Sequence, residues 1–257
     1  MPSPIRLAVN GATGRMGQAL LGLLRDDKRF ELCAAITSAR HAGELGGSYT
    51  SVWPGDKALD VVIDFSGPAG LAAALDYCEA NKVALVTGTT GIDAALTQRL
   101  DTAPIAHLHA TNFSLGIAVL TRLLRQASAA LRDWDLEIVE AHHNRKEDAP
   151  SGTALSLGKA AAQARGTTLE QDAVYAREGR PGPRKAGTIG FAVVRGGDIV
   201  GEHSAMLIGQ GERLELGHRA TDRSIFARGA IEAACWLAGK PAGAYDLDAM
   251  LAERSGA

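Results

Sequence analysis

A short stretch near the middle of the chain carries side chains that could transfer protons. Glu137–Ala160 reads EIVEAHHNRKEDAPSGTALSLGKA and holds two adjacent histidines, His142 and His143, together with Lys146. An imidazole titrates near neutral pH, which suits general acid catalysis. LEIVEAHH has the composition of a strand, so the two histidines are expected to point to opposite faces. Only one of them therefore needs to reach a substrate at a given site.

A predicted helix start follows the histidines. Ser151 in the segment PSGT is a suitable N-cap, and the backbone N–H groups of Gly152 and Thr153 would have no partner within the helix. Such an end attracts anions. With His143, Lys146 and the Thr153 hydroxyl nearby, the stretch predicts a site for a carboxylate-bearing ligand beside a titratable acid. The alternative is a solvated loop with an ordinary cap, which the number and variety of donors disfavour.

A glycine-rich segment near the N-terminus could bind a dinucleotide. The sequence GATGRMG follows the predicted strand IRLAV and opens the predicted helix MGQALLGLLRDD. This is the context of dinucleotide-binding turns, although the spacing is GxxGxxG instead of GxGxxG. The glycines allow a tight turn, and the helix amides would receive the pyrophosphate charge. A turn that binds nothing is the alternative, but the flanking elements favour a cofactor. The predicted contacts are Gly11, Ala12, Thr13, Gly14, Arg15 and Met16.

The end of the second predicted strand bears on the choice of cofactor. Sites for NAD place an acidic residue there to bind the ribose hydroxyls, whereas this strand ends in Thr37-Ser38-Ala39-Arg40. Ser38 and Arg40, together with Arg15, could bind a 2′-phosphate. Arg40 could equally be a solvated loop charge. The composition favours NADPH and leaves NADH possible.

Two further loops follow predicted strands and would lie at the ligand-binding edge of an open α/β sheet. One follows VALVT and the other follows PIAHLH. Either could be a simple turn, but their position predicts contacts with nicotinamide or ribose. The residues concerned are Gly88, Thr89 and Thr90 in the first loop and Ala110, Thr111, Asn112 and Phe113 in the second.

The order of elements predicts two domains. Strand-like and helix-like segments alternate up to about Asn112, which indicates a Rossmann-like, doubly wound parallel sheet. After one long amphipathic helix, LEIVEAHH and three late strand-like segments predict a second, α+β domain with a mixed or antiparallel sheet. The last helical segment is expected to return to the first domain. We predict a dinucleotide-binding domain of residues 1–113 and 222–257, and a substrate-binding and oligomerisation domain of residues 114–221.

Composition excludes several classes of function. The chain has 257 residues, 46% of them hydrophobic, and 27 basic against 29 acidic residues give a net charge of −2. No global field would attract nucleic acid or a membrane surface. Three widely spaced cysteines without a CxxC pair argue against a disulfide framework or structural zinc. With neither a leader peptide nor a long apolar run, we expect a cytoplasmic protein without a metal site whose partners are small molecules or copies of itself.

The stretch from Glu137 to Ala154, EIVEAHHNRKEDAPSGTA, closely resembles the signature of the 4-hydroxy-tetrahydrodipicolinate reductase (dihydrodipicolinate reductase) family of lysine and diaminopimelate biosynthesis. The resemblance extends over most of the chain through VNGATGRMG, VVIDFS, VTGTTG, ATNFSLG, VRGGDIVGEH and GERLELGHRA. It implies an oxidoreductase that reduces 4-hydroxy-tetrahydrodipicolinate, via dihydrodipicolinate, to tetrahydrodipicolinate with NAD(P)H. It also implies a homotetramer.

The resemblance also implies a role for each matching residue. His142 takes the place of the general acid and Lys146 that of a proton donor. His143 takes a substrate-contacting place, and Gly152 and Thr153 take the place that binds a carboxylate of the dicarboxylate substrate. The segments 11–16, 88–90 and 110–113 match the cofactor loops. The sequence departs from the family at Thr37, where members that use both cofactors carry an acidic residue.

The sequence also bears on four other functions. A semialdehyde dehydrogenase needs a nucleophilic cysteine in a strand-end loop, whereas Cys33, Cys78 and Cys235 lie in predicted strands or helices. A non-catalytic NAD(P) sensor would need no cluster of histidines and lysine, and a DNA-binding protein would need a basic patch. A related reductase of another cyclic imine dicarboxylate stays open, because fold and cofactor do not determine the substrate.

Overall fold

The computed structural model describes residues 3–45, 49–55 and 59–256, and the chain divides into two compact units. The first consists of Met1–Leu115 with Ser224–Ala257, and the second of Gly116–Arg223. Each dividing point lies two residues after the predicted one. The first unit is therefore built from two separate parts of the chain.

The N-terminal part of the first unit alternates strands and helices. Its strands are β1 (Ile5–Asn10), β2 (Phe30–Ile36), β3 (Tyr49–Thr50), β4 (Val61–Asp64), β5 (Ala84–Thr87) and β6 (Ala106–His109), and its helices are α1 (Arg15–Leu24), α2 (Ala39–Leu45), α3 (Pro68–Asn81) and α4 (Ala94–Asp101). Every residue of β4 and β5 is buried, as expected for strands covered on both faces.

The second unit contains three helices and five strands within its described residues, which run without a gap. They are α5 (Leu115–Ala130), β7 (Asp135–His142), α6 (Gly152–Arg165), α7 (Leu169–Asp172), β8 (Ala173–Val174), β9 (Ile189–Arg195), β10 (Gly201–Ile208) and β11 (Arg213–Ala220). Helix α5 begins one residue before the unit does. Alternate residues of β7 are buried because one face of its sheet packs on a core and the other does not.

The chain then returns to the first unit through α8 (Ser224–Leu237), β12 (Gly243–Tyr245) and α9 (Leu247–Ser255). Helix α8 packs against α1, β4 and β5, as expected for the last helical segment. Strand β12 pairs with β6 and completes a parallel sheet in the order β12-β6-β5-β4-β1-β2-β3. The chain order reverses between β1 and β4, so a crevice for a ligand is expected at the carboxyl ends of these two strands.

The sheet of the second unit is mixed, in the order β11-β10-β7-β9-β8. Strand β10 is antiparallel to β7 and β11, whereas β7 and β8 are parallel to β9. The predicted fold class is confirmed. One face of the sheet packs on α5 and α6 through apolar side chains that include Leu124, Ile138, Leu157 and Leu207. This packing holds the start of α6 beside the end of β7.

Candidate active site

The glycine turn of the first unit has the geometry that a dinucleotide requires. Gly11 has a φ of +80°, and a Cβ there would lie 2.5 Å from the carbonyl oxygen of Phe65, so only glycine fits. A Cβ on Gly17 would lie 2.2 Å from the carbonyl oxygen of Gly11. Gly14 is exposed and is the N-cap of α1 without a side-chain cap. The first amides of α1, from Arg15 and Met16 onward, can therefore receive a pyrophosphate.

A buried carboxylate ties together the strand ends at this edge of the sheet. Asp64, the last residue of β4, is fully buried. It accepts hydrogen bonds from Asn10 Nδ2 at 2.8 Å and from Thr87 Oγ1 and Thr89 Oγ1 at 2.7 Å each. Ser66 Oγ donates to the same carboxylate at 2.5 Å. The loops that follow β1, β4 and β5 are thereby held in fixed positions. The local sequence does not predict this role of Asp64.

The predicted cofactor loops lie at this edge. Gly88 packs closely against Phe65, and a Cβ added at Gly88 would lie 2.1 Å from the Phe65 ring. Thr89 is buried, whereas Thr90 is exposed. The second loop is joined to the first because Ala110 N donates to Thr87 O at 3.1 Å and His109 Nε2 lies 3.2 Å from Thr89 O. Its other members are the exposed Thr111, the half-buried Asn112 and the buried Phe113.

The end of β2 carries no acidic side chain. Thr37 is buried, and its Oγ1 lies 2.8 Å from Thr13 Oγ1 of the glycine turn. Ser38 and Arg40 are exposed, and Ser38 Oγ lies 3.0 Å from His41 Nδ1. Where NAD-binding sites have an acidic residue, this chain therefore has the hydroxyl group of Thr37, which is hydrogen-bonded to the glycine turn.

In the second unit, β7 brings Glu140 and His142 to the same face of the sheet, since they are two residues apart. Glu140 Oε2 accepts from His142 Nδ1 at 2.6 Å. Arg195, which is opposite His142 in β9, donates to both carboxylate oxygens at 2.8 Å. The Glu140 side chain has no solvent exposure and that of His142 is 12% exposed. The predicted acid therefore has a fixed orientation.

The Glu140 carboxyl is ionised despite its burial. Burial is the largest single influence and raises its pKa. Hydrogen bonds from Arg195, His142 and the backbone N–H of Ser151 together outweigh burial, and the pKa lies below its ordinary value. A carboxylate can only accept hydrogen bonds, so Nδ1 of His142 carries a proton and Nε2 is the atom that can exchange one.

The same carboxylate fixes the start of α6. Glu140 Oε1 accepts from Ser151 N at 3.0 Å, and Ser151 Oγ caps the helix by accepting from Ala154 N at 3.2 Å. The predicted N-cap is confirmed. Gly152, the first helical residue, is exposed, and a Cβ there would meet no atom within 4 Å, whereas Thr153 is half-buried. The start of α6 therefore borders open space beside Gly152, and the N-terminus of a helix attracts a carboxylate.

His143 and Lys146 lie just beyond the strand end. The Nδ1 atom of His143 is buried and has no hydrogen-bond partner among the described residues. Burial, followed by the charges of Arg145 and Arg223, lowers the pKa of His143 and favours the neutral ring. Lys146 Nζ donates to Asp148 Oδ1 at 2.7 Å, and this bond lowers the pKa of Asp148. The lysine is held near the histidines because Lys146 N donates a hydrogen bond to His143 O at 3.1 Å.

A third histidine, His203 in β10, lies next to the acid. Its ring is 5.2 Å from the His142 ring, and its Nε2 is 3.1 Å from Ser151 Oγ. Burial lowers the pKa of His203 to about 4, so the ring is neutral at physiological pH. His203 ends the segment VRGGDIVGEH, but the sequence assigned it no role, because it reaches the site only through the pairing of β10 with β7.

Comparison with known proteins decides the family. The chain matches the family model described as "Dihydrodipicolinate reductase, N-terminus" over residues 5–113 and that described as "Dihydrodipicolinate reductase, C-terminus" over residues 116–251. It is 46% identical to the 4-hydroxy-tetrahydrodipicolinate reductase of Caulobacter vibrioides, with 98% of each chain covered. The chain belongs to the dihydrodipicolinate reductase family. It is also 43% identical to the reductase of that name from Nitrosospira multiformis, over 98% of this chain and 99% of the relative.

A solved structure of a dihydrodipicolinate reductase shares the fold. The dipicolinate-bound dihydrodipicolinate reductase from Paenisporosarcina sp. TG-14 matches with a TM-score of 0.74 and 23% identity, covering 95% of this chain and 97% of that chain. Within the described ranges no helix could span a membrane. The same residues include no group of three or more histidine, cysteine, aspartate or glutamate side chains arranged to hold a metal ion.

Proposed function

We propose that the chain catalyses reduction of 4-hydroxy-tetrahydrodipicolinate, through dihydrodipicolinate, to tetrahydrodipicolinate with NAD(P)H, in lysine and diaminopimelate biosynthesis. Relatives that are 46% and 43% identical over nearly the whole chain are 4-hydroxy-tetrahydrodipicolinate reductases, which supports this activity. Within the structure, the observation that carries it is the Glu140–His142 pair at 2.6 Å beside the open start of α6. A proton donor is thus fixed next to a helix end that binds a carboxylate.

The second unit supplies the proton and binds the substrate. Loss of water from 4-hydroxy-tetrahydrodipicolinate gives dihydrodipicolinate, and addition of one hydride and one proton completes the reduction. The nicotinamide, when bound, supplies the hydride. His142 donates this proton from Nε2, and Lys146 stabilises developing negative charge or donates the proton in its place. His143 contacts the substrate, and the amides of Gly152 and Thr153 with the Thr153 hydroxyl bind one carboxylate.

The first unit binds the cofactor. The glycine turn and the two loops anchored to Asp64 hold the dinucleotide, and the lack of an acidic residue at the end of β2 favours NADPH over NADH. Ser38 and Arg40 are exposed where a 2′-phosphate would lie, with Arg15 at the start of α1. NADH binds more weakly because it lacks this phosphate.

The protein forms a homotetramer in the cytoplasm. The face of the second unit's sheet opposite α5 and α6 carries Val139, Ala141, Ala192 and Val194, and the Val194 residue is 49% exposed. Exposed apolar patches on a sheet commonly mark interfaces between subunits. We call these four residues the association face.

The function is tested by mixing the protein with NADPH and freshly prepared substrate and following nicotinamide absorbance. His142→Gln and Lys146→Met should each lower kcat by roughly two to four orders of magnitude and leave the Kd for NADPH nearly unchanged. Thr153→Val should raise KM with a smaller loss of kcat. Lys159→Met, which removes an exposed lysine from α6, is the control. Near-parental kcat with a collapse of NADPH affinity in the first two variants would contradict these roles.

A further inference from the structure

The carboxylate of Glu140 is shared by both halves of the proposed substrate site. One oxygen, Oε2, accepts from His142 Nδ1 at 2.6 Å, and the other, Oε1, accepts from Ser151 N at 3.0 Å. Arg195 bridges the two oxygens with 2.8 Å bonds to each. With a fully buried side chain, Glu140 receives its hydrogen bonds from these groups. A single anion thus sets the position of both the acid and the helix end.

We infer that Glu140 is a positioning residue that fixes the tautomer of His142 and its place relative to the start of α6. This inference rests on the proposed function, because it concerns the proton delivered in that reaction. No motif match assigned a role to Glu140 or Arg195. The carboxylate does not need to touch the substrate to act in this way.

The carboxylate of Glu140 fixes which ring nitrogen of the neutral His142 carries the proton. An imidazolium has a proton on each ring nitrogen, and the Nδ1 proton is donated directly to the carboxylate. Arg195 compensates part of the negative charge and holds the carboxyl plane. The titratable or charged groups around the His142 ring are Glu140, Arg195, His143 and His203.

An amide at position 140 reverses this preference. In Glu140→Gln, the amide oxygen can still accept from Ser151 N and Arg195, which leaves the NH2 group facing Nδ1 of His142. A protonated Nδ1 cannot accept from that group, so the amide disfavours the imidazolium. The variant keeps the size of the side chain and changes only its charge and its donor pattern.

Gly201 limits the position of the His142 ring on its Nε2 side. A Cβ on Gly201 would lie 3.0 Å from His142 Nε2, which is tighter than an ordinary contact. Gly201→Ala therefore displaces the ring without altering the charge of Glu140. It separates an effect of position from an effect of charge.

The experiment compares kcat across pH for the parental protein, Glu140→Gln, Glu140→Asp and Gly201→Ala, each checked for folding by circular dichroism. Glu140→Gln should lower kcat at neutral pH by roughly a hundredfold or more, and the pH above which activity falls should move lower. Glu140→Asp keeps the charge and should retain the parental profile with a smaller loss. Gly201→Ala should lower kcat at every pH without changing the pH at which activity falls. The control is Glu232→Gln, which neutralises a carboxylate paired with Arg29 and Arg254 in the first unit.

A second measurement does not depend on turnover. Nitrogen-15 NMR of the imidazole should show the neutral His142 ring with its proton on Nδ1 in the parental protein and on Nε2 in Glu140→Gln. The inference is overturned if the parental protein is active and Glu140→Gln has the parental pH profile and the parental ring signals. If the parental protein has these signals but does not reduce the substrate, the proposed function fails while the inference stands.

Discussion

The buried histidine beside the acid makes stability depend on pH. Burial lowers the pKa of His203 to about 4, and the charges of His142, His218 and Lys146 add to this effect, while Glu140 opposes it. In the unfolded chain the ordinary pKa of about 6.5 applies. Between these values the unfolded chain binds a proton that the folded chain does not bind. The free energy of unfolding therefore falls as the pH falls from about 6.5 to about 4.

The size of the effect follows from the two pKa values. At about 1.4 kcal/mol for each pKa unit, the difference corresponds to a loss of about 3 kcal/mol from His203 alone. His203 is only 5% exposed, so solvent screens little of this energetic effect. This is a substantial part of the stability of an ordinary domain, which is about 5–15 kcal/mol.

The assay is urea unfolding of the parental protein and His203→Gln at pH values from about 7 to about 4.5. With Trp53→Phe and Trp236→Phe in every protein compared, the remaining tryptophan, Trp134, packs against the core of the second unit, and its fluorescence reports on the unit that contains His203. His203→Gln should show a weaker dependence of the unfolding free energy on pH than the parental protein, because its amide does not titrate. His41→Gln removes an exposed histidine and should behave as the parental protein does. If the free energy of unfolding depends on pH equally steeply in His203→Gln and in the parental protein, the reasoning is refuted.

Three further outcomes follow from the proposed sites. Arg40→Ala should lower kcat/KM for NADPH roughly tenfold more than for NADH, whereas Arg25→Ala, at an exposed arginine after α1, should leave the ratio unchanged. Gly152→Ala should raise KM roughly tenfold, because the added methyl group enters open space that the substrate carboxylate would use. It should not lower the melting temperature, because alanine suits a helix better than glycine. An unchanged KM would count against the carboxylate site. Val194→Glu should reduce the mass measured by light scattering, while Leu214→Glu, on the other face of the same sheet, should not.

The parts of the site that depend on local sequence were predicted well. The Ser151 cap follows from the residue types at a helix start, and the glycine turn follows from its place between a strand and a helix. The short elements β3, β12 and α7 were not predicted, because two to four residues carry too little periodicity. Helix α9 was also missed.

The parts that depend on strand pairing could not be predicted. Glu140 shares a face with His142 by simple alternation, so the sequence contained a signal for this pair. Arg195 reaches the pair only because β7 and β9 align His142 with Arg195, and His203 reaches it only because β10 aligns His203 with Glu140. Such register between distant segments is set by the packed sheet and not by any local pattern.

The return of the chain to the first unit affects the order of folding during synthesis. Strands β1 to β6 emerge from the ribosome first, but α8, which covers β4 and β5, and β12, which borders β6, are made last. The second unit is continuous in sequence and its core is complete once β11 has emerged. A nascent chain that ends before Ser224 therefore has all of the core of the second unit but lacks the helix that packs on β4 and β5. Such a chain is a candidate for chaperone binding until the last helix arrives.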